Sequence, residues 1–172
     1  NGSTFDKAHF YAHGDAYQSK FAPFARKADI FINGIFYDPK GPRFFTVEET
    51  QRPDFNIRVI ADITCDIMPH SSVPCTIRPS VIADPVYGFS RSTGRETPPF
   101  QHDSIDIMAI DNLPSELPRD ASAFFGRQLL DKILPELLIG RQSPALRRGM
   151  IAENGHLTEP FAYLNDYALG LC

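Results

Sequence analysis

Several familiar signals are missing from these 172 residues. No G-x-G-x-x-G turn and no G-x-x-x-x-G-K-[ST] loop occurs, so neither common glycine-rich phosphate cradle can be traced in the chain. No apolar run approaches the roughly 18 residues that a membrane span requires. Cysteine is sparse and odd in number: Cys65, Cys75 and Cys172. Such a set does not make a disulfide framework, and free thiols in a reducing, cytoplasmic compartment are expected. Neither an initiator Met nor a signal peptide opens the chain, which begins Asn1-Gly2-Ser3-Thr4; a fragment or processed product is the expectation. That opening matches a glycosylation sequon, read as accidental beside the cytoplasmic signs. Basic charge is not in excess. The 17 Lys and Arg face 21 Asp and Glu, a net charge of −4, which argues against nucleic acid as the main partner. A local patch at Arg141, Arg147 and Arg148 is the one basic cluster of note.

What remains is the composition of an ordinary globular domain, 42% apolar and 22% charged. Three apolar runs read as strands: Ala28–Tyr37, closing at Asn33-Gly34; Asn56–Thr64; and Ile105–Ile110. The first two read as buried, and all three as neighbours in a parallel sheet. Residues 17–27 suggest a short helix or turn broken at Pro23, and Asp38–Pro42 a rigid turn. Thr46 followed by Glu49 has the spacing of a capping box. The Pro- and Ser-rich stretch 66–104 suggests a hairpin around Ser92-Thr93-Gly94. Pro118 suits the first position of a long helix reaching Ile139, with Asp120 at its positive end. The tail reads as a short helix from 143, an extended Met150–Ala152, and a helix from about Glu159.

The polar loop Asp111–Gly126, with two prolines between the third strand and that helix, is the most informative segment. Ligands of open α/β sheets sit at the carboxyl ends of strands, beside helix N-termini. Three strand ends therefore carry the candidate site. At the first, Gly34 permits close backbone approach and Phe36 presents a ring, which could equally plug the sheet end. At the second, Asp62, Thr64, Cys65 and Asp66 suggest a polar pocket floor. Asp66 is suited to an ammonium group, or alternatively to capping the next turn. At the third, Asp111 and Asn112 form either a ligand rim or an Asx-turn. Cys65, His70 and Cys75 lack the number and spacing of ligands typical of structural zinc, and no metal is expected.

The stretches Asp29-Ile-Phe-Ile-Asn-Gly-Ile-Phe36, Ile60-Ala-Asp-Ile-Thr-Cys-Asp66 and Ile110-Asp-Asn-Leu-Pro-Ser-Glu-Leu-Pro-Arg-Asp-Ala-Ser122 resemble the lysine-forming saccharopine dehydrogenases. The likeness is strongest to the lysine–ketoglutarate reductase module of bifunctional lysine-degrading enzymes. Tyr17-Gln-Ser-Lys-Phe-Ala-Pro23, Gly41-Pro-Arg-Phe-Phe-Thr46, Ile82-Ala-Asp-Pro-Val-Tyr-Gly88 and Asn154-Gly-His-Leu-Thr158 add to it, in the family's order.

That resemblance implies two Rossmann-like domains with the active site in the cleft between them. It implies that residues 1–140 are the second half of the cofactor domain's parallel sheet. Residues 141–172 would then be helices returning toward the other domain. The glycine fingerprint, the ribose-reading acid and the catalytic Lys and His would lie upstream, so this chain holds no catalytic residue and alone should be inactive. By resemblance, Phe36, Ile63, Ile110, Asp111, Asn112 and Leu113 face NAD or NADP, while Thr64, Cys65 and Asp66 face the amino-acid or keto-acid substrate. Phe36 stands where the family commonly has Tyr, and Cys65 where it often has Ala. The implied activity interconverts lysine plus 2-oxoglutarate and saccharopine by imine reduction. Another amino-acid or opine dehydrogenase, or a non-catalytic binding module, remains open. A three-stranded half sheet with an unpaired strand and a poorly covered face would need the rest of the enzyme, or a second copy, as partner.

Overall fold

The computed structural model describes residues 5–139 and 143–171, so Asn1-Gly2-Ser3, Arg141 and Cys172 lie outside the described residues. The chain divides into two compact units, Asn1–Glu116 and Leu117–Cys172.

The first unit is built on a five-stranded sheet. In chain order its strands are β1 (Ile30–Asn33), β2 (Val59–Asp62), β3 (Tyr87–Ser90), β4 (Glu96–Thr97) and β5 (Ser104–Met108), arranged β1-β2-β5-β3-β4. The three strands expected from the sequence are parallel neighbours, with Phe31 beside Ile60 and Ile60 beside Ile107. The expected hairpin is present too, turning at Gly94 with φ of +66°. It does more than decorate a loop. Strand β3 runs antiparallel to β5, so the hairpin extends the sheet and covers the margin that a three-stranded reading leaves unpaired.

The residues in register alternate between two environments, as the period of a strand requires. Phe31, Ile60, Ile105, Ile107, Tyr87 and Phe89 face the core. Against them packs a set of phenylalanines: Phe21 lies 4.8 Å from Phe31 and 5.0 Å from Phe44 between ring centroids, and Phe45 lies 5.1 Å from Phe55. The opposite face holds Ile30, Ile32 and Val59, all exposed. The sequence reading of 28–37 as a wholly buried strand is thus corrected. β1 has β2 alone as its ladder neighbour, and one of its faces is open.

Short helices fix the connections. α1 is Lys7–Ala12, started by the Asp6 carboxylate, which accepts from Ala8 N at 2.9 Å. α2 is Ala22–Ala25, and Pro23 begins it rather than breaking it, consistent with proline's fit to a first turn. α3, Val47–Thr50, carries the expected capping box: Thr46 Oγ1 accepts from Glu49 N at 3.2 Å, and Glu49 Oε2 accepts from Thr46 N at 2.8 Å.

The second unit opens on α4 (Pro118–Gln128). A π turn, Leu129–Ile133, carries the same helix on into α5 (Leu134–Ile139). Pro118 and Asp120 occupy its first turn as expected. α6 (Pro144–Gly149) is capped by Ser143, whose Oγ accepts from Leu146 N at 3.2 Å. Next comes a small hairpin, β6 (Ala152–Glu153) with β7 (His156–Leu157). It turns at Asn154 and Gly155 with φ of +51° and +80°, the signature of a two-residue hairpin turn. A 3-10 turn, Glu159–Leu164, leads into α7 (Asn165–Ala168).

Candidate functional site

Carboxyl-terminal ends of β1 and β2 meet in a polar knot. Asn33 and Asp62 are partners in the ladder and are 1% and 0% exposed. Asn33 Nδ2 donates to Asp62 Oδ1 at 2.9 Å and to Ser72 Oγ at 3.0 Å. Thr64 Oγ1 donates to Asp62 Oδ1 at 2.6 Å, and Thr76 Oγ1 donates to Asp62 Oδ2 at 2.6 Å. Ser72 and Thr76 belong to Ser71–Thr76, a segment without regular structure that is buried throughout. Asp62 therefore faces inward and is not the pocket floor that the sequence suggested. Its charge is met by hydroxyl and amide donors, whereas the ion pairs of the described residues lie among Arg26, Arg52, Asp54, Arg78, Asp84 and Glu96. Burying a carboxylate is tolerable when its oxygens are hydrogen-bonded in this way.

Outside the knot lies a cleft of about 370 Å³, lined by Gly34, Ile35, Phe36, Tyr37, Ile63, Thr64 and Asp66. Four of the residues singled out from sequence, Phe36, Ile63, Thr64 and Asp66, are thus brought together. Phe36 is 81% exposed, so its ring does not plug the sheet end. Cys65 sits at φ of +52° and turns its thiol to the neighbouring strand end, Sγ donating to Ala109 O at 3.1 Å. Burial, then the nearby Asp111, Asp62 and Asp66, push that thiol above its ordinary pKa. A thiol held protonated is a poor nucleophile.

A second cleft, of about 390 Å³, lies at the end of β5, between Ser80–Ala83 and Ile110, Asp111, Asn112 and Ser115. Ile110 is buried, while Asp111 and Asn112 are exposed. Leu113 begins a short 3-10 turn, Leu113–Glu116, and does not line this cleft. Ser80 anchors the wall: its N–H donates to Ala109 O at 2.8 Å, and its Oγ accepts from Ala109 N at 2.7 Å.

Sequence reasoning missed a third hollow, about 320 Å³, that shares Ile35, Phe36 and Tyr37 and extends across Tyr11, Phe24 and Phe44 to Lys20 and Arg43. Its signal was the aromatic density of residues 5–45, which carries no periodicity. His70 is exposed and Cys75 fully buried, and no group of three or more metal-ligating side chains converges among the described residues. Nor is any helix among them long and apolar enough to cross a membrane.

The fold and these clefts define an α/β protein with clefts at the carboxyl ends of adjacent parallel strands, the place where open α/β sheets bind ligands. No family model matches the chain. It is 28% identical over 171 residues to the alpha-aminoadipic semialdehyde synthase of Arabidopsis thaliana, covering 94% of this chain and 16% of that protein. It is 31% identical over 118 residues to the NAD(+), L-lysine-forming saccharopine dehydrogenase of Schizosaccharomyces pombe, covering 67% of this chain and 30% of that protein. The mitochondrial alpha-aminoadipic semialdehyde synthase of Rattus norvegicus is 26% identical over 184 residues, covering 93% and 20%. The chain belongs to the family of lysine-forming saccharopine dehydrogenases and alpha-aminoadipic semialdehyde synthases. It spans between 16% and 30% of the length of these three relatives.

Proposed function

We propose that this chain forms one wall of an NAD(P)-dependent oxidoreductase site that interconverts lysine plus 2-oxoglutarate and saccharopine. The observation that carries this reading is the convergence of Phe36, Ile63, Thr64 and Asp66 on one cleft at the ends of β1 and β2, with Asp111 and Asn112 at the end of the adjoining parallel strand β5. The groups fit a nicotinamide nucleotide. An exposed aromatic ring offers a flat apolar surface, and exposed backbone at strand ends permits close approach. When bound, the cofactor would supply or accept the hydride.

Each wall residue then has a separable task. Phe36, Ile63, Ile110, Asp111 and Asn112 hold the cofactor side, with Leu113 following them in the chain outside the cleft lining. Thr64, Cys65 and Asp66 orient the substrate, with Asp66 pairing to its ammonium group. Fixing both reactants removes the orientational cost of a bimolecular step. The groups that move protons at the carbinolamine oxygen and the imine nitrogen belong, in this reading, to residues outside this chain. The open sheet face at Ile30, Ile32 and Val59 supports a covering partner, either the rest of the enzyme or a second copy. The free thiols of Cys65 and Cys75 suit a reducing compartment such as the cytoplasm.

Mixing the isolated chain with lysine, 2-oxoglutarate and reduced cofactor is expected to leave the nicotinamide absorbance unchanged. The intact gene product should consume it only when both substrates are present. Turnover by the isolated chain would overturn the shared-site reading. Consumption by the intact product with a different amino acid or amine would favour another amino-acid or opine dehydrogenase.

A further inference from the structure

His9 and His13 stand four residues apart, the spacing at which side chains share one face of a helix. Helix α1 covers Lys7–Ala12, and His13 closes it, its N–H donating to His9 O at 2.9 Å. Both histidines are exposed, and their ring centroids lie 4.7 Å apart with 46° between the planes. Two imidazoles in adjacent positions around one ion, with metal–nitrogen bonds of about 2.0–2.1 Å, have centroids about 4.5–5.2 Å apart. Tyr17 supplies a second, independent feature. Its hydroxyl and His9 Nδ1 share a hydrogen bond of 2.9 Å. Tyr17 is itself held, half-buried, with its ring edge-on to Phe10 at 5.0 Å between centroids and to Phe5 at 6.3 Å.

We propose that His9 and His13 form a two-imidazole site for a first-row divalent cation, with Tyr17 as the residue that orients His9. Imidazole suits zinc, copper and nickel, whereas magnesium and calcium favour oxygen. A metal at His9 Nε2 requires the lone pair there, which places the proton on Nδ1, and Nδ1–H then donates to Tyr17 Oη. Metal-bound histidines are commonly fixed in this way through their second nitrogen. No group of three or more metal-ligating side chains forms among the described residues, so the ion's other positions are open to water or to an external ligand. A bridge from His9 to His13 spans one turn of α1. The helix has only six residues, too few to be stable by propensity alone, and the ion closes that turn. Phe10 and Tyr11 lie within it and line the aromatic hollow reached by Lys20 and Arg43, so closing the turn also fixes that wall.

The test is a titration of the ¹⁵N-labelled 172-residue chain with zinc chloride, followed in the histidine ring spectrum. His9 Nε2 and one ring nitrogen of His13 should move together, ahead of the single exposed histidines His70, His102 and His156. Amide exchange from Phe10 to His13 should slow, because an ion bound only to the closed turn stabilises it by mass action. His9→Ala and His13→Ala should each weaken zinc binding about tenfold or more, since the second ligand no longer binds as an intramolecular step. Both side chains are exposed, so neither change removes a buried group. Tyr17→Phe keeps both ligands and the packed ring and should weaken binding about tenfold through loss of the orienting bond. Affinity undiminished by either alanine substitution, or His9 and His13 signals that move no earlier than those of the three single histidines, would overturn the site. Unchanged exchange across α1 would overturn the bridge and reduce zinc to a contact with one ring. Undiminished affinity in Tyr17→Phe would overturn the role given to Tyr17.

Discussion

The two faces of the sheet are made from alternate residues of the same strands, yet they have opposite surroundings. On one, Ile60, Ile107 and Phe89 are wholly buried beneath a layer of phenylalanines. On the other, Ile30 and Ile32 are more than half exposed. Apolar content does not distinguish them, because isoleucine occurs on both. A residue type therefore sets what burial would be worth at a position, while the elements packed against it set whether that worth is realised. The clefts stand where this sheet ends.

The contrast can be broken most decisively at Ile60. Ile60→Ala should cost about 2–5 kcal/mol in denaturant unfolding, the range for a buried aliphatic truncation. Tyr87→Phe comes next. Its hydroxyl donates to Cys75 O at 3.1 Å and accepts from Ile77 N at 3.0 Å. Cys75 O and Ile77 N also bond each other at 3.1 Å, so loss of the hydroxyl should cost about 0.5–1.5 kcal/mol.

The same hydroxyl gives a pH signature. Burial pushes the Tyr87 pKa up to about 12, above the ordinary phenol value near 10. Its contribution is full below about pH 10 and is lost as pH rises through 12, because the unfolded chain ionises first. Stability should therefore fall across that window less steeply in Tyr87→Phe than in the parent chain. The smallest effect belongs to the open face. Ile32→Ala should change stability by no more than about 0.5 kcal/mol, as for an ordinary surface position. A cost comparable to that of Ile60→Ala would erase the comparison and mean that a partner covers this face in solution.

Much of this organisation is local and hence readable from sequence. The capping box at Thr46, the turn at Gly94 and the helix beginning at Pro118 each depend on residues a few positions apart. The strand ends bearing Phe36, Thr64 and Asp66 follow from run length and turn chemistry. The polar knot does not. Asp62 and Thr76 are joined across a Pro- and Ser-rich stretch that reads as surface loop, and its burial is decided by what packs around it. Asp62 was consequently placed in the pocket when it lies behind it. The β6–β7 hairpin did leave a local mark, the Asn154-Gly155 pair at its turn. The π turn at Leu129–Ile133 left no mark comparable to a proline or glycine.

The short hairpin strand β4 has a consequence for how the sheet can grow. It is two residues long and runs straight into Pro98 and Pro99, which have no N–H to donate to a further strand. Gly88 beneath it is hemmed in, since a side-chain carbon there would come within 2.5 Å of Pro98 O. That margin is terminated, as natural sheets commonly terminate an edge to prevent unwanted strand addition. The β1 margin bears no such stop. The sheet is polar in its capacity for extension, shut along the hairpin and receptive along the strand that leads to Phe36.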